Sequence, residues 1–206
     1  PILAILRKNL LEDRKTQIIY TDELPHFFDA ELLRRIYGYN FELKKLEHIE
    51  AVSVFKGSTI LISEQDKIDS TNLNQNIDFF VNIYNGLGSI LLVNGKQNES
   101  YISAIQHVRR RETIAMTPAD CLVALKSLVE QSSLDANNDS SETNKTSVLD
   151  SIKEITGTTI KPLVGSSGLS VQYAIMMGLI HDALEKHKGK AIKFIVPPNC
   201  YGGTND

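Results

Sequence analysis

Several things are missing from this chain, and each absence removes a class of function. It has no run of apolar residues near the ~20 needed to cross a bilayer. The longest, Tyr173 to Ile180, is interrupted by Gly178 and followed at once by His181-Asp182. No membrane partner is expected. It has no strong charge imbalance: the net charge is −3, which gives no reason to expect nucleic acid or an anionic surface. Its five histidines do not cluster. His181 and His187 are too widely spaced for the i, i+4 face that a helical metal site needs, and His26 and His48 stand alone, so no metal is expected. Only two cysteines occur, Cys121 and Cys200, far apart in sequence. That usage fits a reducing compartment, and cytoplasmic residence is expected. Asn98-Glu99-Ser100 and Asn144-Lys145-Thr146 match the glycosylation pattern, which means little without a signal peptide. No internal repeat is visible.

What is present suffices for a folded protein. Apolar residues make up 42% of the 206, enough for a real core. Pro1–Leu11 reads as a helix and Thr16–Tyr20 as a strand. Asp29 caps a helix that runs to Tyr37 and stops at Gly38. Phe41–His48 is expected to form a further helix. Ala51–Phe55 and Thr59–Ser63 flank Lys56-Gly57-Ser58, the pattern of a hairpin. Asn76–Tyr84 is ambiguous between helix and strand, and Gly88–Val93 reads as a buried strand. Gln97–Arg111 and a segment opened by Thr117-Pro118-Ala119-Asp120, ending near Glu130, read as helices. The polar stretch Gln131–Asn144 is the expected exposed linker. It divides an α+β region, residues 1–131, from a second part beginning at 145. The mixture of elements predicts an α/β class overall.

The most informative stretch is the last. Gly165-Ser166-Ser167-Gly168 is a small-residue turn opening into an amphipathic helix, with Leu169, Tyr173, Met176, Met177, Ile180 and Leu184 at helical spacing. Such a turn presents unpaired N–H groups at the positive end of a helix dipole, the arrangement that holds phosphate. Ser166 and Ser167 supply hydroxyls at the cap. Lys193-Phe194-Ile195-Val196 reads as a short buried strand stopped by Pro197-Pro198. Tyr201-Gly202-Gly203-Thr204 then places a ring beyond the strand's C-terminal end, where α/β proteins bind ligands.

Ser167-Gly168-Leu169 followed by Tyr201-Gly202-Gly203-Thr204 resembles the Cys/Met-metabolism family of pyridoxal-phosphate enzymes, which includes cystathionine γ-synthase, the cystathionine lyases and methionine γ-lyase. Thr146–Glu154 is similar to the helix just upstream in that family. The resemblance covers 144–206, and the chain reads as a piece of a longer protein, the N-terminal part of a fold-type-I transferase large domain preceded by the α+β region. It implies that the backbone amides of Gly168 and Leu169, beside Ser167, hold the cofactor phosphate, and that Tyr201 stacks on the pyridine ring. It also implies β- or γ-elimination or replacement on a small amino-acid substrate, and a homo-oligomer at full length. Leu169 stands where the family carries Met, and the connector from Gly168 to Tyr201 is longer, with 185–190 as the insertion. The family's Tyr-x-Arg pair has no counterpart in 135–142. Its Schiff-base lysine falls beyond Asp206, so this piece is expected to be inactive alone.

Other candidates have plainer explanations. Gly86-Leu87-Gly88 lacks the third glycine of the dinucleotide fingerprint and reads as a turn. Arg109-Arg110-Arg111 reads as a solvated helix end, where the dipole favours cations. Cys121, beside Leu122 and Leu125, reads as a buried small hydrophobe. Two other functions remain open: a non-enzymatic interaction or regulatory module in 1–131, and a phosphate-ligand-binding α/β domain unrelated to pyridoxal phosphate.

Overall fold

The computed structural model describes residues 2–25, 28–65, 73–84, 87–112, 118–130, 141–165 and 167–200, with the side chains of 108–112 and 141–142 excepted. Its centre is a five-stranded sheet in the order β2-β1-β3-β4-β5. The strands are β1 (Thr16–Tyr20), β2 (Glu42–Lys45), β3 (Ser58–Glu64), β4 (Phe79–Tyr84) and β5 (Gly88–Val93). The first four in that order pair in parallel, and β5 turns back antiparallel to β4.

Side-chain alternation along the strands assigns the two faces. Ile18, Ile60, Ile62, Phe79 and Val81 point one way, into a core completed by Ala4, Ile5 and Leu6 of α1 (Ile2–Leu11) and by Tyr101 and Ile105 of α3 (Ser100–Glu112). Leu33 and Tyr37 of α2 (Ala30–Tyr37) pack against the same cluster. Ile19, Leu61 and Phe80 point the other way and meet Leu46, Val52 and Ile77. The connection from β1 to β2 therefore crosses one face, and that from β2 to β3 crosses the other. This is the doubly wound pattern, expected when right-handed crossovers run in opposite directions along a sheet.

The helix ends follow local chemistry. Asp29 accepts from the Leu32 N–H at 2.8 Å, and Gly38 closes α2 in the left-handed conformation at φ 69°, which a residue with Cβ rarely adopts. The exposed edge strand β2 reads Glu-Leu-Lys-Lys, charged in the manner that discourages further strand pairing.

One end of the sheet is tied by buried polar groups. The Asn9 side chain donates to Thr16 Oγ1 at 2.8 Å, while its Oδ1 accepts from Tyr101 at 2.5 Å and from Ser58 at 3.3 Å. Arg14 donates to the Tyr101 hydroxyl at 3.2 Å and to the Gly57 carbonyl at 2.9 Å. Asp78 accepts from the Thr59 N–H at 2.8 Å and from Asn98 at 2.7 Å.

Several expectations are corrected. Phe41–His48 is not a helix: Glu42–Lys45 pairs in parallel with β1. The 51–63 hairpin does not form. Ile49–Ala51 is a short 3-10 turn, 52–57 is irregular, and β3 pairs with β1 and β4 instead. With that hairpin gone, the first region is α/β with a mostly parallel sheet. The ambiguous segment resolves as strand β4. The linker's last residues, 141–144, belong to helix α5 (Ser141–Thr156), so the boundary placed at 145 falls inside a helix. Residues 131–140 lie outside the described residues. Cys121 is exposed on α4 (Pro118–Glu130), whose buried positions are Ala124 and Ser127. Leu122 and Leu125 are exposed with it.

Removing the Tyr101 hydroxyl leaves a buried Asn9 oxygen and an Arg14 donor short of a partner. Tyr101→Phe should lower stability by about 1–2 kcal/mol, read as a lower urea midpoint at unchanged slope. Val54→Ala, at a position 84% exposed, should leave the midpoint in place.

Candidate functional site

The small-residue turn becomes a helix at the expected place. Helix α6 spans Gly168–Lys186, with Ser167 as its extended N-cap. Ser167 Oγ accepts from the Ser170 N–H at 3.1 Å. Ser170 Oγ accepts from the Ser167 N–H at 3.2 Å and donates to the Ser167 carbonyl at 2.8 Å. This reciprocal pair is a capping box built from two serines.

The box decides which donors remain. The Val171 N–H reaches the Ser167 carbonyl at 3.1 Å, the first regular bond of the helix. The N–H groups of Ser167 and Ser170 are taken by the serine side chains. Those of Gly168 and Leu169, the first two helical positions, meet no acceptor among the described residues. Both lie at the positive end of a 19-residue helix.

Two glycines shape this turn differently. A Cβ on Gly165 would sit 2.7 Å from Val171 Cγ2 and 2.9 Å from Ser170 Oγ. Only glycine lets the incoming chain fold this closely over the first turn. A Cβ on Gly168 would meet nothing within 4 Å, so the space beside its α-carbon is open. Ser167 and Gly168 are exposed and Leu169 is half-buried.

The remainder of the expected constellation is not assembled in the described residues. Lys193–Val196 is not a buried strand: the segment is irregular, with Phe194 54% and Ile195 97% exposed. An extended segment becomes a strand only when a neighbour takes its backbone bonds, and none pairs with it here among the described residues. Pro197 does end the stretch, in a turn closed by the Cys200 N–H on its carbonyl at 3.1 Å. Tyr201 lies outside the described residues, as do Ser166 and Gly86, and so do the side chains of Arg109, Arg110 and Arg111.

The sheet contributes a second location that the sequence did not reveal. In the order β2-β1-β3-β4 the chain reverses direction between β1 and β3, and the crevice beyond the carboxyl ends at such a point is where open α/β sheets take ligands. Thr21 and Asp22 follow β1 there, the Thr21 hydroxyl donating to Asp22 at 3.0 Å. On β3 and β4, Ser63 donates to Asn82 Oδ1 at 3.3 Å and accepts from Gln65 at 3.1 Å. Buried polar side chains thus break the apolar face at its carboxyl end.

Farther along α6, His181 and Glu185 pair at 2.9 Å. The Glu185 carboxyl is held below the ordinary glutamate range, first by the hydrogen bond from His181 and then by the charges of His181 and Arg35. Near the helix end, the Asp182 carboxylate raises the Lys186 ammonium by a hydrogen bond at 2.7 Å.

No family model, curated protein or solved structure matches this chain.

Ser167→Ala removes the capping acceptor and should cost the helix start about 1 kcal/mol, seen as loss of helical carbon shifts over residues 168–172. A depressed carboxylate contributes above its unfolded value and loses that contribution as pH falls through the lowered one. The Glu185 carboxyl resonance should therefore titrate below that of glutamate in an unstructured peptide, and His181→Ala should move it back up.

Proposed function

We propose that residues 145–206 carry the phosphate-holding start of a pyridoxal-phosphate-dependent domain of sulfur amino-acid metabolism. The reaction class would be β- or γ-elimination or replacement on a small amino-acid substrate. The observation that carries this reading is the pair of unengaged N–H groups on Gly168 and Leu169, left over by the serine box at the head of α6. They belong to the residues whose counterparts grip the phosphate in the family the sequence resembles, and the open space at Gly168 leaves room for an anion. Pyridoxal phosphate, when bound, supplies the electron sink for chemistry at the substrate's α- and β-carbons.

What the chain's own residues do is narrower. Gly168 and Leu169 donate two backbone hydrogen bonds, and the dipole of α6 adds a favourable potential for a dianion. Ser167 and Ser170 hold the turn so that these donors are already aligned, which lowers the ordering cost of binding. Leu169 in place of methionine leaves this function intact, because the main chain does the holding. Tyr201 is the ring proposed to stack on the cofactor. Assembly of the full-length protein into a homo-oligomer is part of the same reading.

A second reading is favoured by the reversal between β1 and β3. The region 1–131 would then be a non-enzymatic interaction or regulatory module, or the chain a phosphate-ligand-binding α/β domain unrelated to pyridoxal phosphate, with its site beside Thr21, Asp22 and Gln65.

Amide resonances distinguish the two. Titration with pyridoxal phosphate should shift the Gly168 and Leu169 amides with weak affinity, on the order of millimolar, while pyridoxal without phosphate should not. Shifts confined to 21–22 and 65 would support the second reading. No shift at 168–169 at saturating cofactor would overturn the first.

A further inference from the structure

Helix α6 is attached to the rest of the molecule in an unusual way. The apolar core clusters draw on residues up to Ala124 and, among the described residues, on none from α5 or α6. No described residue of α6 is buried. Yet α6 runs beside α3 and reaches α2 through side chains.

Those contacts share one chemistry. Tyr173, His181 and Glu185 recur in steps of four or eight along one face of α6. The Tyr173 hydroxyl bonds to the Tyr37 hydroxyl. Arg35 Nη2 approaches His181 Nε2 at 2.6 Å, and Arg35 Nη1 approaches Glu185 Oε1 at 3.4 Å. His181 Nε2 lies between the Arg35 guanidinium and the Glu185 carboxylate, 2.6 Å from one and 2.9 Å from the other, and its donor or acceptor role follows the ring tautomer. One planar fork thus reaches an imidazole nitrogen and a carboxylate on the same helix face. His181 has no polar partner from α3 among the described residues.

Contacts of this kind hold loosely. Arg35 and Glu185 are 49% and 57% exposed at the side chain, and exposed ion pairs are screened by salt and contribute little each. Apolar burial, which would make the attachment permanent, is only partial on α6: Val171, Met176, Met177, Ile180 and Leu184 are half-buried and none is fully buried. We propose that α6 is a detachable arm latched to α2 by Arg35 and by the Tyr37–Tyr173 pair, carrying the Ser167–Leu169 turn toward and away from the sheet. The Arg35 fork gives the latch its ionic-strength dependence, and the hydroxyl pair gives it register.

The test measures distance in the whole 206-residue chain. Spin labels at Glu31→Cys and Lys188→Cys, with Cys121→Ser and Cys200→Ser, report the α2–α6 separation by pulsed electron resonance. A short-distance population should dominate at low salt. Raising salt to about 0.5 M, or Arg35→Ala, should raise the ratio of long to short distances about two- to five-fold, with circular dichroism unchanged. Exchanging the charges, Arg35→Glu with Glu185→Arg, should restore the short distance. A distribution indifferent to both salt and Arg35→Ala would overturn the latch. Opening by Arg35→Ala that the charge exchange fails to reverse would overturn the ionic mechanism.

Discussion

The buried Asn9 amide is the joint on which the N-terminal fold depends. It is 1% exposed and bonds to β1 through Thr16, to β3 through Ser58 and to α3 through Tyr101, while itself belonging to α1. A fully buried amide without partners would cost several kcal/mol relative to water. Satisfied from three directions, it fixes the axial position of the two helices on the sheet, which apolar contacts alone leave free to slide. Arg14 and Asp78 extend the same set of bonds to the Gly57 carbonyl and the Thr59 N–H, where β3 begins.

Above this joint the two faces of the sheet are unequal. One is covered by α1, α2 and α3, the other by the connection that contributes Leu46, Ile49 and Val52. At its carboxyl end the second face ends in Ser63 and Asn82, and Tyr84 and Leu87 pack on Ala124 of α4. Two buried polar sets thus occupy opposite ends of the same strands, Asn9, Thr16 and Ser58 at one end and Ser63 and Asn82 at the other.

Local signals in the sequence were reliable where local chemistry decides. Asp29 and Gly38 mark both ends of α2 because a carboxylate cap and a left-handed glycine are properties of one turn. The start of α6 at Gly168 was legible for the same reason. The hairpin at 51–63 failed because Gly57 serves a distant partner. Its carbonyl receives Arg14, and the next N–H, that of Ser58, goes to the Lys15 carbonyl. Glu42–Lys45 became a strand through pairing with β1, which no short window contains. The apolar segment at 193–196 shows the converse, since composition alone cannot supply the neighbour a strand needs. Of the candidate site, the turn was readable; the reversal between β1 and β3 was not, because strand order is a long-range property.

The antiparallel return of β5 has a consequence for how this molecule is assembled in time. Tyr84 faces Gly88 and Phe79 faces Val93, so the whole β4–β5 ladder closes over a handful of intervening residues. The parallel pairs β1–β3 and β3–β4 must instead bring distant segments together, at a larger loss of chain entropy. The α1–α3 contact is more remote still: Asn9 meets Tyr101 across 92 positions. Sequence separation therefore ranks the events, with the hairpin earliest and the polar joint last. On that ranking Asn9 and Tyr101 govern the unfolding rate and Val81 and Leu91 the folding rate, an order that kinetic analysis of substitutions at those positions can reverse or uphold.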